Sequence, residues 1–316
     1  MAETTLITAE ANRADKKPTF EQQIKRNLHP DFKSVESSRP PFDVNRDFHY
    51  TKNPSPPWKL GLGANKVAAA ASDIPHREID PYGEGRAPGD NYKLLISGVI
   101  PRPIGFISTI NTATSPPTAN LAPFSYTNMV NHDPPIFCVG FSGGRGNPKD
   151  TCRNVLETGE CVINIISEWF VEAANYTSVN APAGVSEWEL SGLTPAPSRL
   201  VKPARVKESA FAIEAKLVAH HEWSSPGSGM TTGVTCLFQG VNFWVREDVV
   251  NEEGNMIDPA KLKPVSRLGG IAYGRTTDGF ELPRPDWEKD TKPELDKLHT
   301  VKKEEERVNG NEVIVS

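Results

Sequence analysis

Between about residues 100 and 245 the apolar and polar positions follow strand-like patterns far more often than the 3.6-residue period of a helix. Gly105-Phe106-Ile107-Ser108-Thr109-Ile110 mixes large apolar with small polar side chains and predicts a half-buried strand. The proline-rich turn Thr114-Ser115-Pro116-Pro117 leads into a second strand over 119–126. Two more are predicted at 136–141, between Pro134-Pro135 and Gly143-Gly144, and at 161–166, a β-branched run behind Gly159. Phe211, Ile213, Ala215, Leu217 and Ala219 alternate and predict one face of a long strand. Its predicted partner is 234–245, with Gly240 a candidate bulge. Helix is predicted at 148–158, with proline early and Gly159 just past the end, and again at 168–175. Many strands with few helices imply an antiparallel barrel or sandwich. No strand–helix alternation, GxGxxG or GxxxxGK[ST] supports a doubly wound nucleotide fold.

Outside this region the pattern fades. Residues such as Lys52-Asn53-Pro54-Ser55-Pro56-Pro57 build no regular element, because proline removes donors and fixes its own dihedral. A short amphipathic helix is expected from Pro18 to Arg26 and an alanine-rich one at 67–72; neither makes a domain. From Asp286 onward nearly half the residues are charged, with Lys302-Lys303-Glu304-Glu305-Glu306-Arg307 near the centre. Such a run is a solvated helix or a disordered end, with partner binding as the alternative. The reading is therefore a proline-rich, low-order extension at 1–86, a compact domain at 87–285, and a charged tail at 286–316. The composition agrees: 37% hydrophobic residues, 28 prolines and 24 glycines suit a normal domain with solvated flanks.

A net charge of −5 argues against a general nucleic-acid binder. No apolar run reaches the roughly 18–20 residues that span a bilayer. The first twenty residues resemble neither a secretory signal nor a transit peptide, so a cytoplasmic location is expected and Asn175-Tyr176-Thr177 is a chance glycosylation sequon. Cys138, Cys152, Cys161 and Cys236 form no CxxC pair and are expected as reduced thiols. No metal-ligand spacing, HExxH or GxSxG is present. His220 and His221 are neighbours on a predicted strand, point to opposite faces, and cannot grip one metal together.

Three clusters carry candidate chemistry. The predicted helix start at Asn147-Pro148-Lys149-Asp150-Thr151-Cys152-Arg153-Asn154 offers free N–H groups, positive charge and a hydroxyl suited to a phosphate. The preceding Gly143-Gly144-Arg145-Gly146 lets backbone approach a ligand closely. An ordinary capped helix after a flexible loop accounts equally for these residues. Asn120-Leu121-Ala122-Pro123-Phe124-Ser125-Tyr126-Thr127-Asn128 offers rigid backbone and polar side chains to a planar heterocycle, or a strand end packing Phe124 and Tyr126 into core. Pro101-Arg102-Pro103-Ile104-Gly105-Phe106 clamps an arginine at a strand entry, either for a ligand or as a surface arginine.

Taken together, these clusters resemble the flavin reductase-like family, whose members fold as FMN-binding split β-barrels. The resemblance also runs through Asn91-Tyr92-Lys93-Leu94-Leu95, Ile107-Ser108-Thr109, Asp133-Pro134-Pro135, Asn154, Thr158-Gly159-Glu160-Cys161-Val162-Ile163-Asn164 and Arg267-Leu268-Gly269-Gly270-Ile271-Ala272-Tyr273, covering about 90–285. It implies a mainly β fold with a few helices, a split antiparallel barrel flanked by the irregular extension and the charged tail. It further implies a homodimer binding FMN, with FAD as the alternative, and NADH or NADPH as electron donor. Ser108, Thr109 and Asn111 would line the isoalloxazine, with Arg102, Ile110 and Asp150 in the same cofactor set. Ala122, Pro123, Phe124, Ser125, Tyr126 and Asn128 would meet its polar edge and ribityl chain, and Lys149 and Thr151 its phosphate. The loop Thr112-Ala113-Thr114-Ser115-Pro116-Pro117-Thr118 departs from the shorter, glycine-containing turn of relatives. The implied activity is hydride transfer from nicotinamide to flavin N5, with no catalytic side chain required and Tyr273 shaping the nicotinamide pocket. A flavin-dependent monooxygenase is the implied downstream partner. A non-catalytic FMN-binding protein or electron carrier is the alternative.

Overall fold

The computed structural model describes residues 27–65, 74–143, 148–182 and 184–301. The expected helices at 18–26 and 67–72, the loop residues 144–147, and the charge run at 302–307 lie outside them. The chain divides into two compact units. One comprises the described parts of Met1–Asp47 and Pro81–Thr277, the other those of Phe48–Asp80 and Asp278–Ser316.

The first unit is built on a seven-stranded sheet in the order β3-β2-β6-β9-β10-β5-β4, antiparallel throughout. Its strands are β2 (Gly105–Asn111), β3 (Thr118–Phe124), β4 (Thr127–His132), β5 (Pro135–Ser142), β6 (Glu160–Ile165), β9 (Phe211–Ser224) and β10 (Thr231–Val245). The mainly β fold with few helices is thus what forms. The sheet curls so that Phe124 of β3 meets Phe141 of β5 edge to face, ring centroids 4.8 Å apart. Inside the curl lies one core of Ile107, Val139, Phe141, Ile163, Ile213, Val234 and Phe238. Helix α3 (Asp150–Thr158) closes it with Cys152 and Val155, and stops at Gly159, whose φ of 70° suits glycine.

A second core covers the outer face of β2 and β3, where Phe106 and Leu121 pack with Phe170, Ala174, Trp188, Val206 and Val265. It is supplied by a 3₁₀ turn (Glu168–Phe170), the short helices α4 (Val171–Tyr176) and α5 (Glu187–Ser191), the two-residue strand β8 (Arg205–Val206), which pairs with β7 (Pro195–Ala196), and β11 (Val265–Gly269). β11 pairs with β12 (Ala272–Arg275). The remaining helices are α1 (Phe32–Ser37), α2 (Pro88–Gly98) and α6 (Pro259–Leu262). From the chain's N-terminal side, Asp43 and Arg46 lend carbonyls to Arg275, which also forms a two-pronged ion pair with Glu168 at 2.7 and 3.0 Å.

Two details refine the sequence reading. The β9–β10 register slips between Leu237 and Phe238, so Leu217 pairs with Phe238 while Ala219 pairs with Leu237. Val218 is the extra residue, and Ala219 consequently leaves the face that Ile213, Ala215 and Leu217 share. The irregularity expected at Gly240 occurs there, with Val241 unpaired between Gly240 and Asn242.

In the second unit β1 (His49–Thr51) pairs in parallel with β13 (Asp278–Phe280), and His49 Nε2 lies 3.1 Å from Asp278 Oδ1. A π-helical turn (Trp287–Thr291) continues into helix over 292–301, most of whose residues are exposed.

Candidate functional site

Strand alternation sorts the candidate residues before any contact is considered. Thr109 and Asn120 are cross-strand partners, as are Ile107 and Ala122, so one face of β2–β3 carries Ile107, Thr109, Asn120 and Ala122 toward α3. On that face Asn154 Nδ2 donates to Thr109 Oγ1, and Asn120 Nδ2 donates to Thr151 Oγ1, both at 2.9 Å. All four side chains are buried, and Asn154 Oδ1 has no hydrogen-bond partner. Two strands and the first turns of α3 are thereby locked in register.

Ser108 belongs to the other face. Its Oγ donates to Ala204 O at 2.5 Å, in the segment that covers the outer core. The structure therefore brings Thr109 to α3 and does not bring the Ser108 hydroxyl there. Asn111 is half-buried at the strand end, where its Oδ1 accepts from Ala113 N at 2.9 Å, and Ile110 beside it is half-buried too.

Helix α3 begins at Lys149, the N-cap, with no side chain capping its first turn. Its leading amides and dipole are thus presented next to Lys149 in the chain. Asp150 takes up part of the positive charge, accepting from Arg153 Nη1 at 2.7 Å. This donor set fits a phosphate ester: uncapped backbone amides, a lysine at the helix start, and hydroxyl and amide groups behind them that hold the turn in place.

The segment 122–128 lies at the opposite end of β3. Ala122, Pro123, Phe124 and Ser125 are half-buried; Tyr126 and Asn128 are exposed. Tyr126 rests on Gly140, where a Cβ would stand 3.0 Å from the tyrosine Cβ. Pro123 leaves its strand position without an N–H, tolerable because β3 is an edge strand.

Arg102 is not a surface arginine. It is 8% exposed, and Nη1 donates to Ile96 O and, at 2.8 Å, to Val99 O, tying down the end of α2. Its backbone exchanges two hydrogen bonds with Arg267, both 3.0 Å, while Nε is buried without a partner. The Arg267 guanidinium stacks 4.4 Å above the Tyr273 ring, and Tyr273 OH donates to Asn175 Oδ1 at 2.9 Å. Burial raises the Tyr273 pKa, against the pull of Arg267.

Sequence reasoning missed Glu187. It opens α5, is 7% exposed, and accepts from Leu121 N at 3.1 Å on the outer edge of β3; Ser186 Oγ donates nearby to Ala119 O at 2.6 Å. Glu187, Asp150, Asn111 and Asn120 share a shallow cleft beside the start of α3. Sixty-six residues separate Glu187 from Leu121, so no local signal pointed to it. Among the described residues no group of three or more histidine, cysteine or acidic side chains gathers to hold a metal, and no helix is long and apolar enough to cross a membrane. All four cysteines are free; Cys152 and Cys236 hydrogen-bond in the inner core, where Cys161 is pushed up by burial alone.

Residues 97–260 match the model of the flavin reductase like domain, and the chain belongs to that family. An uncharacterized protein of Halalkalibacterium halodurans is 39% identical over 199 residues, 62% of this chain and 91% of the relative. The structure is similar to the crystal structure of nitrilotriacetate monooxygenase component B from Bacillus cereus, with a TM-score of 0.61 and 34% identity over 66% of this chain and all of that one. A protein of Shewanella frigidimarina described as having a split barrel domain matches with a TM-score of 0.52 and 24% identity, covering 64% of this chain and 94% of its own, and shows the fold. The curled seven-stranded sheet is accordingly the split barrel of flavin-related oxidoreductases.

Proposed function

We propose that the protein is an FMN-binding flavin reductase that takes electrons from NADH or NADPH. The observation that carries this reading is the uncapped start of α3, set beside Lys149 and locked to the β2–β3 edge by two buried hydrogen bonds, within a flavin reductase-like chain. Bound FMN would supply a hydride acceptor at N5 and onward electron transfer. The chain's own part is positional. The first-turn amides of α3 and Lys149 hold the phosphate; Thr109 and Thr151, spending their hydroxyls on Asn154 and Asn120, set where that turn lies. The backbone of 122–125, with Tyr126 and Asn128, borders the ring, and Tyr273 walls the nicotinamide pocket. Ser108 and Arg102 act from behind, anchoring β2 and its entry.

The proposal assigns this work to the barrel domain at 87–285, working as a homodimer in the cytoplasm. The likeness to a monooxygenase component B supports a flavin-dependent monooxygenase as consumer of the reduced flavin. The test is nicotinamide oxidation by purified protein with and without FMN, using NADH and NADPH in turn. Flavin-dependent turnover with one nucleotide is expected. FMN binding with no turnover from either would leave a carrier and contradict the reductase.

A further inference from the structure

Two arginines face each other just before β2. Arg102 and Arg267 are partners in an isolated antiparallel bridge and exchange backbone hydrogen bonds, both 3.0 Å. Residues directly opposite in such a pair carry their side chains on one face, where like charges destabilise the pairing. Tyr273 is the next residue across, paired with Arg267 between β11 and β12. Arg102, Arg267 and Tyr273 therefore form a row along one face of this small ladder.

The chain leaves the positive charge of this pair unanswered. Both side-chain hydrogen bonds of Arg102 are donated by Nη1, and both go to neutral carbonyls, those of Ile96 and Val99. Its Nε is buried without a partner, in a residue 8% exposed. Arg267 is half-buried; its Nη2 donates to Gly270 O at 2.5 Å, and its guanidinium stacks on Tyr273. Among the described residues neither arginine forms an ion pair. Burial lowers the Arg102 pKa, Tyr126 opposes this, the Arg267 charge adds to it, and Tyr92 opposes it again. A buried donor with no acceptor, beside a second cation with no carboxylate, is costly in a finished fold. A bound anion removes both costs at once.

Two tyrosines tie the pair to the proposed flavin site. Tyr126, assigned above to the ring border, is close enough to Arg102 to act on its charge, and Tyr273, assigned to the nicotinamide pocket, has its ring centre 4.4 Å from the Arg267 guanidinium. We propose that Arg267, backed by the buried Arg102, is an anion-binding residue that holds a carboxylate or phosphate group of the molecule reacting with the flavin. The arginine pair carries the site, and the flavin reading above carries the identity of the reaction. A guanidinium presents a planar fork of donors that matches either oxyanion. Two sources bring that chemistry: the pyrophosphate of a nicotinamide dinucleotide, and the carboxylate of an organic acid that accepts the electrons.

The experiment is isothermal titration calorimetry of the full chain without flavin, using pyrophosphate and benzoate in turn at an ionic strength fixed with chloride. Tighter binding of pyrophosphate assigns the site to the nucleotide, and tighter binding of benzoate to an acid acceptor. Arg267→Gln is expected to weaken the tighter anion about tenfold. Arg267→Lys, which keeps the charge and loses the fork, should weaken it less. A thermal unfolding midpoint close to the native one in both variants separates loss of the site from loss of the fold. Binding of neither anion beyond the chloride background overturns the proposal. So does an affinity that Arg267→Gln leaves unchanged, since that anion is then held elsewhere, as at the start of α3. Because no flavin is present, these outcomes stay distinct from a failure of FMN to bind, which contradicts the flavin reading and not the anion site.

Discussion

Glu214 shows how much of this structure rests on single side chains. It is fully buried in β9, yet its carboxylate accepts from Trp244 Nε1 at 2.6 Å, Asn242 Nδ2 at 3.1 Å, and the backbone N–H groups of Arg199, Leu200 and Val201 at 2.8, 2.5 and 3.2 Å. Burial pushes its pKa up, but the hydrogen bonds from Trp244, Arg199, Leu200 and Asn242 outweigh this and hold it below the ordinary value. A carboxylate depressed in the folded state stabilises it above the unfolded pKa, about 4.3, and that contribution is lost as pH falls through the lower folded value. Glu214→Ala should cost about 3 kcal/mol at neutral pH, read from urea unfolding midpoints, because it strands five donors. Glu214→Gln should flatten the acid limb of the stability profile below about pH 4. None of this was legible locally. In sequence Glu214 is one charge inside Phe211-Ala212-Ile213-Glu214-Ala215, and its partners lie 13 to 30 residues away.

Elements were more legible than residues, for a physical reason. Strands buried on one or both faces must carry apolar residues, so β2, β3, β5, β6, β9 and β10 announce themselves in the pattern. Proline and glycine mark both ends of α3. What escaped lacks that pressure. β4 is an exposed edge strand reading Thr127-Asn128-Met129-Val130-Asn131-His132, and α2 opens on Pro88-Gly89 like a loop. β1 and β13 are three residues each and exist by pairing with one another across the whole domain sequence. The start of α3 yields a direct prediction: Lys149→Ala should weaken FMN binding about tenfold and leave riboflavin, which has no phosphate, within about twofold by fluorescence titration. Thr151→Val strands the Asn120 amide and should destabilise the fold by about 1–2 kcal/mol in thermal unfolding. Arg275→Ala removes four hydrogen bonds, two to Glu168 and two to carbonyls of Asp43 and Arg46. It should expose the segment around 43–46 to limited proteolysis while the barrel stays intact.

At the scale of the molecule, the chain adds to a familiar domain. The H. halodurans relative matches 62% of it, and the B. cereus structure 66%, each nearly or wholly spanned in return. Outside residues 97–260, which match the family model, lie the paired strands β1 and β13, which belong to one small unit. The family was legible because its motifs fall on backbone that the barrel constrains: a strand entry, an edge strand, a helix start. The direction of individual side chains was less so, as Ser108 and Arg102 show; each faces away from α3 or into a helix end, which depends on alternation and on contacts distant in sequence. The proposed function is that this barrel positions a flavin to be reduced by nicotinamide. Its most direct test is to load the protein with FMN, exclude oxygen, and add NADH or NADPH while following the visible absorbance of the flavin. Rapid bleaching with one of the two nucleotides is predicted. A flavin that stays oxidised with both, yet bleaches with dithionite, would contradict the claim.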